Sequence, residues 1–272
     1  MNELAGKVAI VTGATRKRGL GRAIALTLAR AGADVVVTGS DRQPPTLTPD
    51  EAREGWRGAV DVAAEIATLG VRSHVVHLDV RRSADVARLM QETVDTLGRI
   101  DILINNATYP RADDRVSLLE LDEQLWRTII DVNLNGTMLC CKYAAKQMIA
   151  QGDGGSIVSI SSGAALKAQR TFSAYAASKA AVHALTAALA DELGPHGVTA
   201  NVVAPGFLDT ARIDTLRDPA RWAQRLSTIP IRRPGTVEEV AELVRYLCGP
   251  HARWISGEVM LITGGEVRRA AR

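Results

Sequence analysis

Lys7-Val8-Ala9-Ile10-Val11-Thr12-Gly13-Ala14-Thr15-Arg16-Lys17-Arg18-Gly19-Leu20-Gly21 decides the fold. The first six residues are mostly apolar and β-branched, which predicts a short buried strand. Three glycines then punctuate a loop, and residues 20–31 read as a helix. A Gly-rich turn between strand and helix lets backbone approach a pyrophosphate, and the helix amino end favours that negative charge. The competing explanation is an ordinary tight turn, and the rest of the chain decides between the two.

Beyond this unit, strand and helix patterns alternate. Strands are predicted near 7–12, 34–38, 73–78, 101–104, 155–160, 198–204 and 258–262. Helices are predicted near 20–31, 59–69, 83–97, 122–151, 174–194 and 236–248. Most of the strands are short, continuously apolar and rich in Val and Ile, the pattern of a parallel sheet covered on both faces. The expected fold is α/β, a doubly wound parallel sheet of about seven strands (a Rossmann fold) with ligands at the strands' carboxyl ends. Two segments interrupt the rhythm. Residues 41–58 contain Pro44, Pro45, Pro49, Gly55 and Gly58 and are expected to form a loop. Residues 207–234 are expected to form a lid; there Arg212, Arg217, Arg221 and Arg225 recur about every four residues. A solvated helix face explains that spacing more simply than recognition of an anionic substrate.

With 272 residues the chain supports one large domain, 1–272, and no polar linker divides it. A net charge of +3 argues against nucleic acid or a membrane surface as partner. No run approaches the ~20 apolar residues of a membrane span, and no signal-peptide core precedes the first strand. The cytoplasm is the expected compartment. Cys140, Cys141 and Cys248 lack Cys-x-x-Cys spacing and are expected to be buried free thiols. His74 and His77 lie three apart on a strand and point to opposite faces, so no metal site is expected.

The chemistry is concentrated in Tyr175-Ala176-Ala177-Ser178-Lys179. On a helix, Tyr175 and Lys179 share a face one turn apart. A phenol ordinarily titrates near ~10, and a neighbouring ammonium favours its ionised form, which makes such a pair a usable acid–base unit. Ser162 lies thirteen residues before the Tyr, just past a predicted strand, and Asn105-Asn106-Ala107 follows another.

Together these motifs resemble the short-chain dehydrogenase/reductase family over about residues 5 to 265, and Pro205 through Pro230, Gly235 and Gly264-Gly265 look most like its 3-oxoacyl-(acyl-carrier-protein) reductase-like subgroup. The resemblance implies hydride transfer between a nicotinamide cofactor and a carbonyl or secondary alcohol. It implies that Ser162 positions the substrate oxygen, Tyr175 donates the proton, and Lys179 holds the cofactor ribose and assists the Tyr. Asn133 would hold a relay water. Gly13, Gly19, Leu20 and Gly21 would cradle the phosphates, although this loop is two residues longer than usual around Arg16-Lys17-Arg18. Asp79 and Val80 would flank the adenine; Asn105, Asn106 and Ala107 would line the cofactor; Pro205, Gly206 and Thr210 would lie near the nicotinamide amide. Thr108 stands where the family usually has Gly, which alters contacts at the substrate or ribose. Tyr109, Leu166, Gln169, Phe172 and Phe207 would shape the substrate pocket. His183 reads as a packing or interface residue.

NADP(H) is favoured and NAD(H) remains open. NAD-preferring relatives end the second strand with an Asp, a place held here by Gly39. Ser40 and Arg18 are expected to meet a 2′-phosphate, with Lys17 and Arg42 as further candidates, and Asp41 argues the other way. The alanines of 174–194 permit close helix approach, and the family pairs such helices between subunits, so a homotetramer is expected. Two other readings stay open: an NAD-dependent alcohol dehydrogenase working oxidatively, and a non-catalytic cofactor-binding scaffold, since fold does not fix function.

Overall fold

The computed structural model describes residues 2–40, 47–110, 114–211 and 218–267. Asp41, Arg42, Pro44, Pro45, Arg212, Arg217 and the basic tail at 268–272 lie outside the described residues. Seven parallel strands form one sheet: β1 (Val8–Val11), β2 (Asp34–Gly39), β3 (Ser73–His77), β4 (Ile102–Asn105), β5 (Gly155–Ile160), β6 (Val198–Pro205) and β7 (Val259–Ile262), in the order β3-β2-β1-β4-β5-β6-β7. The order reverses at β1, so the crevice between β1 and β4 is the switch point where such sheets take ligands.

The strands are continuously apolar because both faces are covered. Ala9, Val11, Val35 and Val37 pack with α1 (Leu20–Arg30), α3 (Ala59–Ala67) and α9 (Val237–Cys248). Val8, Ile10 and Val36 point the other way, against α4 (Ser83–Leu97) and α6 (Gly136–Gln151). The period-two alternation of a strand distributes the same run to two cores.

The structure refines three predicted segments. The helix expected over 122–151 is α5 (Glu123–Ile130) and α6 separated by a π-helical turn at Asp131–Asn135. Residues 41–58, expected to be loop, contain a short helix, α2 (Pro49–Arg53), whose Thr48 and Glu51 form a reciprocal capping box. The segment expected to form a lid carries α8 (Pro219–Ser227). On it Arg221 is exposed as expected, whereas Arg225 is fixed: its guanidinium grips Glu266 in a bidentate pair at 2.6 and 2.7 Å and stacks 4.6 Å from the Phe207 ring. The remaining long helix, α7 (Ser173–Leu193), carries the Tyr and Lys.

Asp101, 3% exposed, joins the first strand to the fourth. Its carboxylate accepts from the Val8 amide and Lys7 Nζ at 3.0 Å, and from Arg99 Nε and Nη2 at 2.7 Å. Burial pushes this carboxyl up, but the Arg99, Val8 and Lys7 donors outweigh burial and hold it below the ordinary carboxylate value. Asp101→Asn should destabilise the protein by about 1–3 kcal/mol at neutral pH, because it removes the charge of a buried acceptor that gathers donors from Lys7, Val8 and Arg99. A depressed carboxyl contributes stability above its unfolded value and loses it as the pH falls. Urea unfolding should therefore show the gap between wild type and variant closing as the pH drops below about 3.8.

Candidate active site and cofactor crevice

The site forms where three loops leave the carboxyl edge of the sheet. After β5 the chain turns at Ser161 and Ser162. Ser162 caps a short 3-10 turn, its Oγ accepting from the Ala164 amide at 3.2 Å. A hydroxyl has one proton to donate, so this bond leaves the Ser162 proton for another acceptor. Helix α7 runs alongside. Lys179 is 3% exposed, and its Nζ donates to the Ile160 carbonyl at the end of β5, 2.8 Å away. The same ammonium lies 6.0 Å from the centre of the half-buried Tyr175 ring. The end of β5 thus leads into Ser162 and holds Lys179, which lies one helical turn from Tyr175.

Asn133 sits in the π-helical turn and is fully buried. Its Oδ1 accepts from Thr108 Oγ1 at 3.0 Å and the Tyr109 amide at 2.8 Å; its Nδ2 donates to Ser178 Oγ at 3.0 Å. Ser178 in turn donates to the Tyr175 carbonyl at 2.8 Å. Asn133 therefore ties the loop after β4 to the turn of α7 between Tyr175 and Lys179. Thr108 is part of this tie: its hydroxyl is a bond that Gly could not make. The π-helical insertion re-aims the side chain without ending the helix, a usual reason for such turns at functional sites.

Three contributors escaped the sequence reading. Arg115 places its guanidinium 3.9 Å from the Phe172 ring centre and 4.8 Å from that of Tyr175, and pairs with buried Asp114. His183 Nε2 lies 2.8 Å from Ser161 Oγ, which itself donates to the Lys179 carbonyl at 3.0 Å. With the Ser161 proton used there, the imidazole is assigned as the donor to Ser161. Thr12, at the end of β1, donates to the Ile104 carbonyl at 3.2 Å and accepts from the Asn106 and Ala107 amides at 3.0 Å. A helix-face pattern flags His183 only as polar among alanines, and a loop Arg after a Pro-containing stretch carries no periodic signal at all.

The crevice beside this site is shaped by missing side chains. Gly13 has φ +70°, and a Cβ there would come within 2.8 Å of the Ala107 Cα. A Cβ on Gly21 would lie 2.5 Å from Asn106 Nδ2, which donates to the Thr12 and Gly13 carbonyls. The Asn106 amide thus holds the turn itself. Gly19 caps α1 with no side-chain bond, and the first turn carries no acidic residue, so the helix amino end is suited to an anion. These features fit a dinucleotide pyrophosphate. At the adenine end, Asp79 is engaged by Arg81 at 2.6 Å, whose hydrogen bonds outweigh burial and lower the carboxyl. Val80 is buried against Gly136. Pro205 ends β6, and the following Gly206 presses on Thr263, where a Cβ would come within 2.8 Å of backbone. Thr210 follows half-buried, and the next amide, Ala211, donates to the Arg18 carbonyl at 3.1 Å, joining the chain after β6 to the Gly loop.

Cys140, Cys141 and Cys248 are buried, and burial pushes the Cys141 and Cys248 thiols up to about 12, so none is a ready nucleophile. Among the described residues no group of three or more His, Cys, Asp or Glu could hold a metal, and no helix is long and apolar enough to cross a membrane.

A family model described as enoyl-(acyl carrier protein) reductase matches residues 13–266. A 3-oxoacyl-[acyl-carrier-protein] reductase of Aquifex aeolicus is 37% identical over 97% of this chain and 98% of its own. A short-chain type dehydrogenase/reductase of Picea abies is 36% identical over 97% and 93%. The crystal structure of an acetoin dehydrogenase from Salmonella typhimurium superposes with TM-score 0.80 at 35% identity, covering 96% of both chains.

Asn133→Ala should lower stability by about 1–3 kcal/mol, because it removes at once the bonds to the Thr108 hydroxyl, the Tyr109 amide and the buried Ser178 hydroxyl. Thermal unfolding and turnover measured on the same preparation should fall together.

Proposed function

The chain belongs to the short-chain dehydrogenase/reductase family and is an NAD(P)-dependent oxidoreductase acting on CH–OH groups; on that premise we propose that it reduces a ketone to a secondary alcohol at the expense of NADPH. The observation that carries the reading is the anchoring of Lys179 on the Ile160 carbonyl, two residues before Ser162, with its ammonium 6.0 Å from the centre of the Tyr175 ring. The bound nicotinamide supplies the hydride. Ser162, whose oxygen already accepts from Ala164, gives its proton to the substrate oxygen and fixes its position. Tyr175 protonates that oxygen as charge develops on it. Lys179 stabilises the phenolate left behind and holds the cofactor ribose, and Asn133 and a water complete the path that returns a proton. Of the expected lid, residues 207–211 and 218–234 are described, and there Arg225 links α8 to Phe207 and Glu266 beside the substrate's place.

The end of β2 supports NADP(H). Gly39 brings no carboxylate to the ribose, and a Cβ there would lie 2.0 Å from Thr15 Cγ2, so an Asp is sterically barred unless Thr15 moves. Ser40 is exposed beside it, and Arg18 directly precedes Gly19 in the loop after β1. The relatives' names concern 3-oxoacyl-(acyl carrier protein) in one case and acetoin in another. A substrate panel spanning acetoin and a 3-oxoacyl thioester, followed by nicotinamide absorbance with each cofactor, tests the reading directly. Preference for NADH in oxidation of the alcohols would replace it with the oxidative one.

Assembly belongs to the same proposal. Ala177, Ala180, Ala184, Ala187 and Ala188 are exposed on α7, a small-residue stripe on which a second copy could pack closely. Light scattering at micromolar concentration should report a homotetramer, and a monomer would count against it.

Tyr175→Phe keeps the ring and removes the proton. Turnover should fall by about 10²–10⁴-fold, the range for acid–base groups, while cofactor affinity measured by fluorescence changes little. Wild-type turnover in this variant would refute the assigned proton donor.

A further inference from the structure

Helix α8 has no buried residue. Trp222, Arg225 and Leu226 are half-buried, and its other side chains are exposed. A helix in a folded protein owes most of its stability to a packed apolar face, so something other than apolar burial fixes the position of this one. Arg225, in its last turn, supplies that anchor. Its Nη1 donates to Glu266 Oε1 at 2.6 Å and its Nη2 to Glu266 Oε2 at 2.7 Å, and Nη1 also reaches Thr228 Oγ1 at 2.6 Å. The Glu266 side chain is only 7% exposed, so the pair is both charge-assisted and shielded from screening by salt. The same guanidinium lies 4.6 Å from the centre of the Phe207 ring, which is tilted against Trp222 at 5.4 Å.

Glu266 stands in a tight turn after β7. Thr263 Oγ1 donates to the Val267 carbonyl at 3.2 Å and accepts from the Val267 amide at 3.3 Å, and the Glu266 amide donates to the Thr263 carbonyl at 3.2 Å. Three other segments rest on this turn. Gly163, next to Ser162, faces Val267, where a Cβ would come within 3.1 Å of Val267 Cγ2. Gly206, next to Phe207, presses on Thr263. Beyond α8, the Ile231 amide donates to the Gly264 carbonyl at 3.3 Å. The turn therefore touches both the chain that carries Ser162 and the chain that carries α8.

We propose that Glu266 is a positioning residue for the substrate. Through Arg225 it holds α8 and Phe207 against the turn that backs Ser162, and so sets affinity for the carbonyl compound without touching the reacting atoms. The inference rests on the ketone-reduction reading above and on the place which that reading gives Phe207. Removing the carboxylate takes the counter-charge from Arg225 and frees α8 to shift on the turn. The cost falls on substrate binding in the ground and transition states alike, which shows in KM and not in kcat.

Glu266→Gln keeps the shape of the side chain and removes its charge. Its KM for acetoin or a 3-oxoacyl thioester should rise about 5- to 30-fold, the scale of one charge-assisted pair, with kcat and dinucleotide affinity little changed. Arg225→Lys keeps the charge but not the fork, and its KM should fall between those of wild type and Glu266→Gln. Adding Glu266→Gln to Arg225→Met should cost nothing further, because the two side chains act as a unit. Hydrogen exchange on the full-length protein should quicken at the α8 amides in Glu266→Gln and stay as it was along α7. An unchanged KM, a loss confined to thermal stability, or additive effects in the double variant would overturn the inference. Matching losses in kcat and cofactor binding would make Glu266 a general brace of the fold, which also overturns it. If the wild type turns over neither probe, the ketone-reduction reading fails and takes the substrate role with it, whereas unmoved α8 exchange in an active enzyme overturns the inference alone.

Discussion

One hydroxyl holds the crevice in shape. Thr12 Oγ1 gives its single proton to the Ile104 carbonyl and takes the amides of Asn106 and Ala107. A Thr side chain has one proton to give and two lone pairs to fill, and here all three are used in a site only 1% exposed. The bond set draws the corner after β4 against the turn after β1. Everything else at the carboxyl edge follows from that closeness. Gly13 must lack a side chain because Ala107 is on top of it, and Asn106 can reach back to hold the turn's carbonyls.

A second set of ties fixes α7. Lys179 holds the end of β5 through Ile160, Ser161 reaches the Lys179 carbonyl and His183, and Ser178 is bound by Asn133. Three neighbouring positions on one helix are thus anchored to two other segments of the fold. Tyr175 and Lys179 ride on a rigid element, as the proposed role requires when misplacement by about 1 Å costs a large part of the rate. Arg115 adds a cation close to the rings of both Phe172 and Tyr175.

Much of this was legible in the sequence because it is local. The alternation of apolar strands and amphipathic helices follows from burial on two faces, and Tyr175, Lys179 and Ser162 fall at fixed spacings from a strand end. What the sequence concealed depends on pairings between distant segments. The π-helical turn at Asn133 has no compositional mark, since the apolar pattern of residues 122–151 continues through it. The 41–58 insertion looked like a proline-punctuated loop. Only the carboxylates of Asp50, Glu51 and Glu54 meeting Arg18, Arg16 and Lys17 show why a helix forms there. Arg225 likewise shared its four-residue spacing with solvated arginines, and its partner Glu266 lies forty-one positions downstream.

The backbone bond from the Ala211 amide to the Arg18 carbonyl has a mechanical consequence. The two loops it joins spring from β1 and β6, which are separated by β4 and β5 in the sheet, a span of roughly 14 Å at ~4.8 Å per strand. A displacement of the chain just after β6 is therefore passed to the turn after β1 directly, without deforming the two strands between them.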